Sequence, residues 1–152
     1  MRAVVQRVHQ ASVQIEEKTV GTIGRGLCVF LGIGSHDTKT ETRWLAKKIS
    51  RLRIFPDSND KMSLNLLDIE GEILVVSQFT LYGSCRAGCR PDFANAAPVD
   101  LAQPLYEQFL LDIEQETGIC PQKGEFQKKM TVFITNDGPV TLIIDTPLRH
   151  QS

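Results

Sequence analysis

The chain has 152 residues, 41% of them hydrophobic and 23% charged, which suits one globular domain spanning 1–152 and leaves no room for two ordinary cores. Its net charge of −1 excludes a broad basic field, so any nucleic-acid contact must be local and guided by shape. The start, Met-Arg-Ala-Val-Val-Gln-Arg-Val, with no long uncharged h-region and no small-residue cleavage site, is expected to be a first strand rather than a signal peptide, and the longest apolar run, residues 27–33, is far too short for a bilayer.

Residues 3–15 alternate loosely and are rich in Val, which predicts a long or bent strand. A Glu16-Glu17-Lys18 turn and a short strand at 19–23 follow. The continuous apolar run 27–33 reads as a central strand buried on both faces. Thr38 and Glu41 form a capping box that opens a helix with Trp44, Leu45, Ile49 and Leu52 on one side and Lys47, Lys48 and Arg51 mostly on the other. That helix should end before Pro56, and 57–60 (Asp-Ser-Asn-Asp) is a polar turn. Residues 61–67 are short, extended and edge-like.

Residues 72–82 read as a second long strand. Its first half is apolar on both faces, and its second half introduces Ser77, Gln78 and Thr80. A strand that turns polar at its carboxyl end either opens into a site or emerges into solvent. Residues 83–98 carry Arg86, Arg90, Pro91 and Asp92 with little periodicity, a loop long enough to be functional or disordered. Asp100 is a candidate cap for a second helix whose buried stripe is Leu101, Leu105, Phe109 and Ile113, with Gly118 closing it. Residues 121–127 read as a polar connector. Two β-branched runs, 130–135 and 140–144, then flank 136–141 (Asn-Asp-Gly-Pro-Val-Thr). Asp-Gly between such runs signals a hairpin, and Pro139 makes the preceding bond a candidate for cis. A rigid loop presenting backbone groups is the competing reading. The tail at 146–152 is expected to be flexible. The whole is an α/β single domain, with layered, barrel-like sheets under two main helices.

Conventional catalytic signatures are absent. His9, His36 and His150 lie in no motif, and Gly24-x-Gly26 and Gly32-x-Gly34 lack the rest of a nucleotide fingerprint. Ser77 or Thr80 could attack a carbonyl, but no base is visible beside either, and an unactivated hydroxyl is a poor nucleophile. Cys28, Cys85, Cys89 and Cys120 form no C-x-x-C pair and have no His cluster near them, so no metal site and no cofactor are expected. Reduced thiols in a cytoplasmic protein are the default. Arg86/Arg90 and Lys128/Lys129 are small basic groups whose simplest account is solvation.

Taken together, 77–82 (Ser-Gln-Phe-Thr-Leu-Tyr), 90–93 (Arg-Pro-Asp-Phe) and 136–141 closely resemble the D-aminoacyl-tRNA deacylase family. The opening octapeptide, Arg53-Ile54-Phe55 and Lys61-Met62-x-Leu64-Asn65 match it too. The resemblance covers essentially the whole chain, with its two signature motifs about sixty residues apart. It implies hydrolysis of the ester between a D-amino acid, or glycine, and the 3′ end of tRNA, as translational proofreading. It also implies a homodimer with sites at the subunit interface, the aminoacylated tRNA 3′ end as partner, and neither DNA nor membrane.

In that family the strand equivalent to Ser77, Gln78, Phe79 and Thr80 lines the catalytic pocket of one subunit. The pair equivalent to Gly138 and Pro139 reaches in from the other. The pair's carbonyl oxygens bind the substrate's α-amino group and leave no space for an L side chain. Such exclusion acts by a clash against the wrong enantiomer. The resemblance also accounts for the missing base. An aminoacyl ester is already activated, and the vicinal 2′-hydroxyl of the terminal adenosine can assist. The protein then needs mainly to position the ester and stabilise the oxyanion, with backbone N–H groups around Phe79 and Thr80 as donors. On this reading Thr80 supports rather than attacks, and Gln78 shapes the pocket. Phe126 and Met130 touch the terminal adenine, and Arg86 and Arg90 assist substrate binding. The alternatives are a non-catalytic tRNA-binding module using Arg86, Arg90, Lys128 and Lys129, and a small-molecule esterase.

Overall fold

The long first strand organises the molecule. In the computed structural model, which describes residues 1–147, β1 (Arg2–Ile15) pairs antiparallel with three neighbours. Its second half pairs with β2 (Lys18–Ile23) and its first half with β3 (Gly26–Gly32). The opposite edge is covered along nearly its full length by β8 (Thr131–Asp145). Beyond β3 the sheet continues in parallel through β6 (Glu72–Ser77) to a short β7 (Gln122–Lys123). A separate two-stranded sheet joins β4 (Phe55–Pro56) to β5 (Met62–Leu64). Helices α1 (Lys39–Ser50) and α2 (Val99–Thr117) complete the fold. Neither is long and apolar enough to cross a membrane.

Alternation along the strands creates two apolar layers. Ala3 and Val5 of β1 and Leu27, Val29 and Leu31 of β3 pack with Leu45 and Ile49 of α1 and Leu105, Phe109 and Ile113 of α2. On the other side Val8, Ala11 and Val13 join Ile23, Cys28, Leu74 and Val76. This division explains why β3 is apolar throughout: each face meets a different cluster. Between the helices, the buried Thr42 hydroxyl donates to the buried Asp112 carboxylate at 2.6 Å.

The expected capping box is present. Thr38 accepts from the Thr40 N–H, while Glu41 accepts from the Thr38 N–H at 2.7 Å. Gly118 closes α2 with φ 71°. The start of α2 differs from expectation: Pro98 is the cap residue and Asp100 lies inside the first turn. Pro104 sits further in, at an exposed position where the carbonyl that loses its partner can meet water. Residues 122–123 of the expected connector form β7.

Two strand expectations also change. The strand expected over 72–82 stops at Ser77, and Phe79–Tyr82 form a 3-10 turn. The last rung is the Gln78 N–H to the Leu31 carbonyl at 2.8 Å. There β3 itself ends in Gly32, and the turn folds over that glycine. A Cβ on Gly32 would lie 3.0 Å from Leu81 Cβ and 3.1 Å from the Gln78 oxygen.

The hairpin expected at 136–141 does not form. Both β-branched runs belong to one strand, β8, which keeps its direction against β1 from Gln14↔Thr131 to Arg2↔Asp145. Only residues 137–140 leave the ladder, between the pairs Val8↔Asn136 and Gln6↔Thr141. A single long partner strand satisfies both runs, so the turn chemistry produces an outward loop rather than a reversal.

The expected tail begins with Thr146, whose N–H donates to the Met1 carbonyl at 2.9 Å. Residues 148–152, including His150, lie outside the described residues.

Candidate active site

The first cluster of site residues stands where β6 hands over to the 3-10 turn. Ser77 is the last ladder residue, paired with Leu31, and is half-buried. The Gln78 side-chain amide donates to the Thr80 hydroxyl across the start of the turn. Phe79 is 59% exposed, and its ring meets Phe93 edge-on at 5.1 Å. This contact ties the turn to the 83–98 loop. That loop is closed at its base by reciprocal bonds between Ser84 and Asp92 at 2.8 and 2.9 Å. Phe79 and Thr80 contribute the first N–H groups of the turn, which have no acceptor within it. A preorganised pair of such donors can stabilise a developing oxyanion. Arg86 and Arg90 are both exposed on the loop; Arg86 also lines a cleft of ≈ 1000 Å³ that runs past Tyr82.

Tyr82 is held neutral: burial pushes its phenol above the usual range, Asp37 adds to this, and Arg2 partly opposes it. Arg2 was not anticipated as a site residue. It makes two bonds to Asp145, at 2.7 and 3.1 Å, and reaches the Leu81 carbonyl at 3.3 Å. The end of β8, the start of β1 and the 3-10 turn are thereby joined. The Asp145 hydrogen bond is the main reason the Arg2 pKa lies above its ordinary value.

The second cluster is the loop at 137–140. The Gly138–Pro139 peptide bond is cis, and Gly138 has φ 121°. A Cβ there would lie 2.9 Å from the Val140 side chain and 3.0 Å from Arg7 Nη2. Arg7 is the second residue that sequence reading missed. Its buried guanidinium donates to the Ile54 carbonyl at 2.6 Å and to the Asp137 carbonyl at 3.3 Å, and it pairs with the Asp137 carboxylate at 3.1 Å. The signal was available: Arg7 shares the inward parity of Ala3 and Val5, and a cation placed among apolar residues needs partners. His9 Nε2 lies 3.4 Å from the same carboxylate on the outer side.

Met130 and Phe126 are half-buried. Met130 packs on the cluster containing Val76, one residue before Ser77, and its sulfur covers Gly124. The Phe126 ring lies 5.7 Å from that of Tyr106, whose hydroxyl donates to the Val75 carbonyl at 2.9 Å. Phe126 is thereby linked to β6 through Tyr106, whereas Met130 precedes Thr131, which pairs with Gln14 at the opposite end of β1 from Ala3.

Within one chain the two clusters are apart. Ser77, Leu31, Ala3 and Ile144 are aligned across four strands, whereas the loop lies opposite Arg7, four positions along β1. Three strand spacings and four residue rises separate Ser77 from Gly138, a path of roughly 20 Å along the sheet.

A mixed, barrel-like sheet carrying two helices, with a polar strand end and a Gly-Pro loop, defines a class that comparison with known proteins identifies. Residues 4–145 match the family model described as D-Tyr-tRNA(Tyr) deacylase. A D-aminoacyl-tRNA deacylase of Thermotoga petrophila is 55% identical over 146 residues, covering 96% of this chain and 97% of the relative. One of Geobacter sulfurreducens is 50% identical over 152 residues, covering 100% and 99%. A solved structure named c-Myc DNA Unwinding Element Binding Protein superposes with a TM-score of 0.91 at 42% identity, covering 97% of this chain and 100% of that one. Another, titled as a probable eukaryotic D-amino acid tRNA deacylase, has a TM-score of 0.85 at 18% identity and covers 95% and 98%; it shows the shared fold. The chain belongs to the D-Tyr-tRNA(Tyr) deacylase family. It is an ester hydrolase, a D-aminoacyl-tRNA deacylase.

Proposed function

We propose that this deacylase works as a homodimer in the cytoplasm. The 77–80 cluster of one subunit and the Gly138–Pro139 loop of the other form each site. The observation that carries this reading is the separation of the two motifs along the strands of a single chain, because a second copy can bring them together. Exposed Phe133 and Ile143 on β8 offer apolar surface for such an association.

The substrate is the 3′-terminal aminoacyl-adenosine of tRNA. The loop carbonyls receive the α-amino group of a D-residue or glycine, and an L side chain would collide with the loop. Water attacks the ester carbonyl, the oxyanion is stabilised by the N–H groups of Phe79 and Thr80, and the 3′-oxygen leaves with a proton. The adjacent 2′-hydroxyl assists, which suits a site lacking a general base beside Thr80. Gln78 orients the Thr80 hydroxyl, Phe126 and Met130 border the adenine, and Arg86 and Arg90 face the RNA backbone. The name of the 42%-identical structure raises DNA binding. The net charge of −1 argues against duplex binding, which rests mainly on neutralising phosphates.

The test is hydrolysis of D-Tyr-tRNA, Gly-tRNA and L-Tyr-tRNA in parallel, with a D-Tyr-tRNA ending in 2′-deoxyadenosine as a fourth substrate. Release is expected from the first two, with little from L-Tyr-tRNA and strongly reduced release from the deoxy form. Comparable release of both enantiomers would remove the selection mechanism. Binding without release from any substrate would leave a tRNA-binding module.

A further inference from the structure

We propose that Asn136 and Thr141 form a side-chain staple that fixes the 137–140 loop and so act as positioning residues for enantiomer selection. The inference rests on the proposed role of that loop and adds the device that holds it. Residues 137–140 leave the β1–β8 ladder opposite the single residue Arg7, and Asn136 and Thr141 are the last paired residues on either side. Four residues bulging from a strand edge have no ladder of their own, and nothing in backbone pairing alone sets how far the loop's two ends spread.

The Asn136 side chain closes that gap. Its Oδ1 accepts the Val140 N–H at 3.4 Å, and its Nδ2 donates to the Thr141 hydroxyl oxygen at 3.1 Å. These two contacts fix the orientation of the amide: the oxygen must face the N–H donor, which turns the NH₂ toward Thr141. The Thr141 oxygen takes a second donor, Nε2 of Gln6, at 3.3 Å from the facing strand. One amide and one hydroxyl thus pin the returning limb of the loop to its departing limb and to β1. On the other limb Arg7 holds both the carbonyl and the carboxylate of Asp137. Gly138 and Pro139, between the two grips, carry no side-chain hydrogen-bonding group of their own. Their carbonyls are consequently positioned by neighbours. A reacting group displaced by about 1 Å can cost on the order of a hundredfold in rate.

The experiment compares Asn136→Ala, Thr141→Val and Thr141→Ser with the native protein. Asn136→Ala deletes both staple bonds. Thr141→Val is nearly isosteric and removes only the hydroxyl that Asn136 and Gln6 reach, while Thr141→Ser keeps it. Two quantities are read: the ratio of kcat/KM for D-Tyr-tRNA to that for L-Tyr-tRNA, and hydrogen exchange of the Val140 amide. We expect the ratio to fall by about tenfold or more in Asn136→Ala, to fall less in Thr141→Val, and to return toward native in Thr141→Ser. Val140 exchange should accelerate in Asn136→Ala. A native ratio in folded Asn136→Ala, or in Thr141→Val should the first variant not fold, overturns the staple. Absence of D-selectivity in the native protein would instead overturn the selection reading beneath it.

Discussion

Arg7 touches three acceptors on two segments that are distant in sequence, and this makes its replacement informative. Its guanidinium is almost wholly buried and bonded to Ile54 and Asp137. Removing one partner of a buried pair leaves the other without compensation, so Arg7→Ala should lower stability by about 3 kcal/mol in a urea titration. Arg7→Lys should recover part of that, because one ammonium cannot span the same fork. Cys28 gives a second residue-scale expectation. Burial pushes its thiol up to about 12, whereas Cys85, Cys89 and Cys120 are exposed. Since the thiolate is the reactive form, Ellman's reagent at pH 8 should count three thiols in the native protein and four after denaturation. The linkage has a definite sign. An unfolded thiol releases its proton near 9 and the folded one near 12, so Cys28 stabilises the fold below pH 9 and that contribution is lost as pH rises toward 12.

At the scale of elements, stability is concentrated where side chains close a helix or join two. Thr38 caps α1 and Thr42 bonds Asp112 of α2. Thr38→Ala should cost about 1 kcal/mol, the ordinary value of a cap. Thr42→Val should cost about 1–3 kcal/mol, because it strands one oxygen of a buried carboxylate while keeping the shape of the side chain. Denaturant midpoints of the two variants order these effects. The same elements show what sequence reading reaches. The cap of α1, the closing glycine of α2 and the apolar β3 are local signals, and local signals survive folding. The end of β6 and the path of β8 are decided by partners distant in the chain. Phe79 and Leu81 alternate with Thr80 and Tyr82 like strand residues, but β3 runs out at Gly32 and leaves them no ladder to join. Asp-Gly-Pro in 136–141 has hairpin chemistry, yet β1 is long enough to pair with both flanking runs. The motifs marked the candidate site through resemblance. Arg2 and Arg7 lie in the opening octapeptide rather than in either site motif; the inward parity of Arg7 was legible, but the partners of both became visible only when β1, β8 and the 3-10 turn were brought side by side.

For the whole molecule, the two ends of the proposed site are separated by a path of roughly 20 Å along the sheet of one chain, by strand spacing and rise. One chain therefore carries the proposed pocket residues at one place and the proposed selecting loop at another, and the proposed dimer pairs each with its complement. Two variants disabled at opposite ends distinguish this arrangement from a site within one chain. Thr80→Trp places bulk at an exposed turn where the fold can tolerate it and obstructs the pocket. Gly138→Val adds a side chain where φ is 121° and Val140 stands within 2.9 Å of the new Cβ, disabling the loop. Each variant alone should be inactive on D-Tyr-tRNA. Mixed in equal amounts and allowed to exchange subunits, half the dimers become hybrids. A hybrid holds one site with both defects and one site with neither, so the mixture should recover roughly a quarter of native specific activity. If each site lay within one chain, every chain would keep its own defect and mixing would recover nothing. Recovery that rises with the time allowed for exchange assigns the pocket and the loop of each site to different subunits.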